Sequence, residues 1–148
     1  MPVSYQIIDG IPVVEGVIDL RCVGLNSEIK IYLPPFDHGL SKDLFNYRIR
    51  EPLHVLVLSK ILSALNPELV ADIGSSIGYF PLIELNSGVE RILCFEPNPI
   101  AYKYLKLNLK RFSDRVESYN KAISVGDECN WIEKSVKVGC EHILEEMQ

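Results

Sequence analysis

Residues 69–80 read Leu-Val-Ala-Asp-Ile-Gly-Ser-Ser-Ile-Gly-Tyr-Phe, and no other stretch narrows the fold so far. A short apolar run, interrupted only by Asp72, predicts a buried strand over Leu69–Ile73. Gly74 then allows a sharp turn, because a residue without Cβ enters left-handed backbone at little cost. A helix over Tyr79–Leu85 follows. Strand, glycine turn and helix in this order make the first half of a βαβ unit.

The rest of that region completes the pattern. Arg91–Phe95 predicts a second buried strand, Pro99–Phe112 a helix with Ala101, Tyr104, Leu105, Asn108 and Leu109 inward, and Val116–Tyr119 a third strand. Strands alternating with helices imply a parallel sheet with right-handed crossovers. One more helix precedes it over Glu51–Leu65. Pro52 suits its first turn, Leu53, Leu56, Val57, Lys60, Ile61 and Ala64 recur at helical spacing, and Asn66-Pro67 ends it.

The first third has a different rhythm. Asp9-Gly10 between apolar runs predicts a tight hairpin over Ile7–Val14. Val17–Val23 and Glu28–Leu33, around Gly24–Ser27, predict a second hairpin. Pro34-Pro35 stops the strand, and Phe36–Arg50 has no clear periodicity. The expected organisation is a β-rich extension over residues 1–50 and a ligand-binding α/β domain over residues 51–148. A short helix is expected at Glu141–Met147.

Composition excludes several classes. The chain has 148 residues, a net charge of -5, 47% hydrophobic and 24% charged residues, which fits one globular domain. No basic face is visible in the overall balance, so no nucleic-acid partner is expected. The basic run Lys103, Lys106, Lys110 and Arg111 reads as a solvated helix face. Val55–Leu65 is too short and too polar to span a bilayer, and the N-terminus has no signal-peptide pattern. A soluble, cytoplasmic protein without a membrane partner is expected. Cys22, Cys94, Cys129 and Cys140 contain no Cys-x-x-Cys pair, and Cys129, Cys140 and His142 match no standard zinc spacing, so no metal is expected. Cys94 reads as a small core residue.

The chemistry lies in the turns. Asp72-x-Gly74-x-x-x-Gly78 differs from two phosphate-binding patterns. A dinucleotide fingerprint needs glycine where Ser76 stands, and a P-loop needs Lys where Tyr79 follows Gly78. What remains suits a ligand without phosphate, whose amino-acid part carries an ammonium near Asp72. Gly78 lets the helix pack near the strand, and backbone N–H groups of the turn face the ligand. Glu96 follows Gly74 by 22 positions, and a carboxylate about 20 residues past such a turn can hold ribose hydroxyls. Glu96 could otherwise serve as a loop charge, although Asn98, followed by Pro99, is the better N-cap for the next helix. Asn120 or the backbone of Ala122 could read an adenine edge, or simply end the third strand. The candidate cofactor-binding residues are Asp72, Gly74, Ser75, Ser76, Gly78, Tyr79, Glu96, Pro97, Asn98, Asn120 and Ala122. A nicotinamide cofactor is compatible with Glu96 but not with Ser76.

Val70–Phe80, Phe95-Glu-Pro-Asn-Pro99 and Asn120-Lys-Ala-Ile-Ser124 resemble the FkbM family of S-adenosylmethionine-dependent methyltransferases, over roughly residues 51–124. The resemblance implies an α/β, Rossmann-like class I methyltransferase sheet preceded here by β-hairpins. It implies that Asp72, Gly74 and Gly78 surround the methionine part of S-adenosylmethionine and that Glu96 holds the ribose. It also implies methylation of an oxygen, often a hydroxyl of a sugar or other small molecule. Family members continue with further strands, so this sheet is expected to stop after its third parallel strand. No catalytic base is assigned: His54 reads as a satisfied helix residue, and His38 lies in a turn. A non-catalytic cofactor-binding module, partner subunit or remnant is the alternative.

A sheet that stops there leaves the first strand with an open edge, which invites association. The N-terminal hairpins, Ser135–Val138 as an added strand, or a second chain in a homo-oligomer could cover it.

Overall fold

The computed structural model describes residues 5–35, 37 and 39–123. The stretch 124–148, with Cys129, Cys140, His142 and the expected elements at Ser135–Val138 and Glu141–Met147, lies outside the described residues, as does His38.

Three antiparallel strands open the chain: β1 (Gln6–Ile8), β2 (Ile11–Asp19) and β3 (Glu28–Leu33), in that spatial order. Ile8 pairs with Ile11, so Asp9 and Gly10 alone form the turn. Both have positive φ, 51° and 77°, as a type I′ hairpin requires. The expected break between two hairpins at residues 15–16 does not occur: β2 runs unbroken through Gly16. A Cβ at Gly16 would lie 2.5 Å from Leu33 Cδ1, so glycine there makes room for a cross-strand neighbour instead of ending the strand. The second expected strand also stops early. Residues Leu20–Val23 form a 3₁₀ turn, because Asp19 accepts the Arg21 N–H and caps it.

Phe36–Arg50 contains one helix, α1 (Leu40–Tyr47), opened by Asp37, whose carboxylate accepts the Gly39 and Ser41 N–H groups. Next comes α2 (Pro52–Leu65). Its buried face is Val55, Ser59 and Leu62, against α3 (Tyr79–Asn86) and the 3₁₀ turn. Leu53, Val57 and Ile61, three of the residues that recur at helical spacing, are exposed, and Leu53 and Leu65 are 71% and 72% exposed. Apolar residues surround this helix, so spacing alone does not select its inner face.

The remaining elements follow the expected order: β4 (Leu69–Ile73), α3, β5 (Arg91–Phe95), α4 (Pro99–Leu109) and β6 (Val116–Tyr119). A 3₁₀ turn over Lys110–Phe112 takes the end of the last predicted helix. The strands form a parallel sheet in the order β4-β5-β6, with Asp72 opposite Cys94 and Cys94 opposite Ser118. The fold is therefore α/β, with a three-stranded parallel sheet and a separate hairpin sheet among the described residues.

The hairpin sheet packs through β3 on α3 and α4 and does not pair with β4. Ile29, Ile31 and Leu33 of β3 join Leu82, Ile83, Leu105 and Ile92 in one core. The first of the three expected covers for the β4 edge is thus not used. Leu69, Ala71 and Ile73 stay exposed, Ile73 at 65%. No helix among the described residues is long and apolar enough to cross a membrane.

Candidate functional site

The glycine turn begins where β4 ends. Gly74 has φ +84°, and among the described residues no atom beyond its chain neighbours lies within 4 Å of the position its Cβ would take. The turn is tied to the neighbouring strand, because Gly74 N and Ser75 N both donate to Phe95 O, at 2.8 and 3.1 Å. Ser75 is buried, and its hydroxyl donates back to Asp72 O at 3.0 Å. Gly78 N closes the loop on Ser75 O at 2.9 Å.

Gly78 differs from Gly74 in its surroundings. It also has positive φ, +94°, but a Cβ there would meet Leu105 Cδ1 at 3.2 Å. The close approach it permits is between α3 and α4, not between α3 and its own strand as the spacing suggested. Asn108 completes this junction by donating to Ile77 O at 2.8 Å.

Glu96 stands at the end of β5 and is 7% exposed. One carboxylate oxygen accepts Ser76 N at 2.8 Å and the other accepts Asn98 N at 2.7 Å. The carboxylate therefore clamps the glycine turn to the loop after β5. Ser76 carries φ +50° without being glycine. Such backbone costs roughly 1–3 kcal/mol, and the charge-assisted bond from Glu96 offsets that strain.

Asn98 caps α4 as expected, accepting Ile100 N and Ala101 N. Asn120 Nδ2 donates to Glu96 O at 2.8 Å and Pro97 O at 3.1 Å, which joins the loops after β5 and β6. Tyr79 is engaged elsewhere. Its hydroxyl donates to Arg50 O at 2.7 Å and accepts Arg50 N at 3.0 Å, and burial pushes its phenol up to about 12. It braces α3 against the chain entering α2.

Two hollows flank the turn. The larger, about 350 Å³, is lined by Gly74, Ser75 and Ser76 on one side and Leu40, Arg50 and Tyr104 on the other, within the size range of small-molecule sites. The smaller, about 160 Å³, lies between Ile73, Gly74, Phe95, Pro97, Lys121 and Ala122. The strand ends thus bring together Asp72, Gly74, Ser75, Ser76, Glu96, Pro97, Asn120 and Ala122, while Gly78, Tyr79 and Asn98 serve packing and capping.

Burial raises the Asp72 carboxyl above its ordinary range, and the Ser75 hydroxyl partly offsets this. A second carboxyl, Glu84 on α3, belongs to no recognisable sequence motif. It is 5% exposed, and its Oε2 has no hydrogen-bond partner among the described residues. Burial, with the Asp72 charge added, pushes Glu84 up to about 8, so it is largely a neutral acid at pH 7. The available signal was one acid in the otherwise apolar run Tyr79–Leu85.

His54 Nδ1 sits 2.9 Å from Glu51 on the exposed face of α2, the satisfied role expected of it. Cys94 is fully buried, also as expected. No group of three or more His, Cys, Asp or Glu side chains that could hold a metal occurs among the described residues.

No protein-family model and no curated protein matches the sequence. The chain is similar to two solved structures from Pyrococcus horikoshii. One is a candidate RNA methyltransferase, 21% identical with a TM-score of 0.46, over 53% of this chain and 42% of that one. The other is a candidate transferase, 18% identical with a TM-score of 0.45, over 82% of this chain and 37% of that one. The chain spans less than half the length of either.

Proposed function

We propose that the chain binds S-adenosylmethionine at the Gly74 turn, as the cofactor-binding part of an FkbM-like methyltransferase acting on a hydroxyl of a small molecule or sugar. The observation that supports this best is the open space over Gly74. Ligands of open α/β sheets bind beyond the carboxyl ends of parallel strands, and there Gly74 leaves the backbone bare. Ser76 in the second glycine position disfavours a pyrophosphate.

The residues present fit such a ligand. Asp72 offers a carboxylate beside the turn, and an ammonium group brought there would favour its charged form. Glu96 uses one lone pair of each oxygen on backbone N–H groups, and ribose hydroxyls would share those that remain. Ala122 and Pro97 bound the hollow in which an adenine would lie. When bound, S-adenosylmethionine supplies a methyl group on a sulfonium, and the chain's own task is to hold it in line with the acceptor oxygen. The expected partner chain would cover the edge of β4, which no strand of the described residues pairs.

Ultraviolet crosslinking of radiolabelled S-adenosylmethionine, followed by peptide mapping, tests the placement. Label within residues 69–80 or 95–103 supports it. Label confined to the hairpin sheet would place the ligand elsewhere.

A further inference from the structure

Lys103 and Lys106 of α4, with Lys110 and Arg111 of the 3₁₀ turn after it, lie along one side of the first hairpin. The Asp9-Gly10 turn of the first hairpin stands beside the C-terminal half of α4, where Lys110 Nζ bonds Asp9 at 2.7 Å. Two hollows of about 340 Å³ each meet at this contact. Lys30, Tyr32 and Arg111 border the first, Lys103 and Lys106 the second, and Asp9, Leu107 and Lys110 belong to both. They adjoin across the Lys110–Asp9 pair as a groove lined by the apolar Ile8, Ile11 and Leu107 and by these cations.

Its charges are only partly neutralised. Asp9 is the sole acid lining either hollow, and it is engaged by Lys110. Lys30 pairs with Glu15 at 2.5 Å. Lys103, Lys106 and Arg111 have no ion-pair partner among the described residues. Arg111 instead lies over the Phe112 ring at 4.8 Å, and Lys30 over the Tyr32 ring at 5.0 Å. A cation near a helix C-terminus complements the dipole, which accounts for Lys106 but not for the concave shape or for Lys30 arriving from β3.

We infer that this groove binds single-stranded nucleic acid. Spaced cations follow a phosphate backbone, while an apolar floor and a rim aromatic receive bases. A bilayer surface is flat and would reach the rim but not the floor. The chain's net charge of -5 repels polyanions elsewhere and confines attraction to this face. No residue lines both these hollows and the two beside the Gly74 turn, although Asn108 links the regions by bonding Ile77 O.

Fluorescence anisotropy tests this with the full chain and a labelled oligouridylate of about a dozen nucleotides, at several salt concentrations. Lys103→Ala/Lys106→Ala should weaken binding at least about tenfold and lower the slope of log affinity on log salt by about 1.4, at roughly 0.7 per phosphate contact. Both lysines are exposed and unpaired, and alanine favours helix, so the variant keeps its fold. Lys42→Ala/Lys60→Ala, which removes equal charge from α1 and α2, should leave binding unchanged. The inference is overturned if the parent shows no binding at low salt, if both double variants weaken it equally, or if phosphatidylserine vesicles bind in preference to the oligonucleotide.

Discussion

Asn108 supplies Tyr32 with both hydrogen bonds that a neighbouring strand would otherwise provide. Tyr32 N donates to Asn108 Oδ1 at 2.7 Å, and Asn108 Nδ2 donates to Tyr32 O at 3.0 Å. The same amide reaches Ile77 O at the end of the glycine turn. One buried side chain on α4 thus joins the hairpin sheet to the candidate site.

Replacing Asn108 with leucine leaves three backbone groups without that partner. Each buried unsatisfied group costs about 1–3 kcal/mol, and partial relaxation should hold the total to roughly 2–5 kcal/mol. Urea denaturation should show a lower midpoint with an unchanged slope. A change below about 0.5 kcal/mol would mean the two units do not depend on this link.

Glu84 should make stability fall as pH rises. Its ordinary value of 4.5 is raised to about 8 in the folded chain, so between those values the folded state holds a proton that the unfolded state has released. Stability contributed by the neutral acid is fully present below about pH 4.5 and is lost towards pH 8. Asp72, also raised, acts with the same sign. Glu84→Gln should flatten this dependence and gain a few kcal/mol over the parent near pH 8, at 1.36 kcal/mol per pKa unit. Thermal unfolding between pH 5 and 8 measures it, and parallel curves for parent and variant would show that Glu84 is already charged at neutral pH.

The two glycines of the motif should fail differently. Gly78→Ala adds a methyl 3.2 Å from Leu105 and forces alanine to φ +94°, so it should cost about 2–4 kcal/mol through crowding and strain together. Gly74→Ala meets no atom and should cost about 1 kcal/mol through its backbone alone, yet weaken the cofactor markedly. Equal losses of stability would mean that the space over Gly74 is not real.

Glu96→Gln should destabilise the chain before any ligand is added. An amide can accept from Ser76 N or Asn98 N but turns its NH₂ towards the other, a loss of about 1–3 kcal/mol. Cofactor affinity should fall by a further 1.5–3 kcal/mol if the ribose shares this carboxylate. Calorimetry and chemical denaturation separate the two effects, and unchanged affinity would remove Glu96 from the ribose role.

The sequence made the parallel sheet legible because Leu69–Ile73 and Arg91–Phe95 are apolar runs bounded by glycine, proline and charge. It also showed Asn98 as the α4 cap and the Asp9-Gly10 turn. The orientation of α2 was illegible, since Leu53, Val55, Val57, Ile61 and Leu62 surround the helix and only tertiary packing selects Val55 and Leu62. The continuity of β2 through residues 15–16 was illegible for a related reason: glycine within a strand signals either a break or a close neighbour, and Leu33 is visible only once β2 and β3 pair. In the site, the glycine turn and Glu96 stood out as motifs. Their partners did not, because the bonds from Ser76 N to Glu96 and from Tyr79 to Arg50 cross 20 and 29 positions of chain.

Calorimetric titration of the folded full chain with S-adenosylhomocysteine and with NAD tests the central claim most directly. The proposed function predicts saturable binding of S-adenosylhomocysteine and none of NAD. Binding of NAD, or of neither, would contradict the assignment of the Gly74 turn to S-adenosylmethionine.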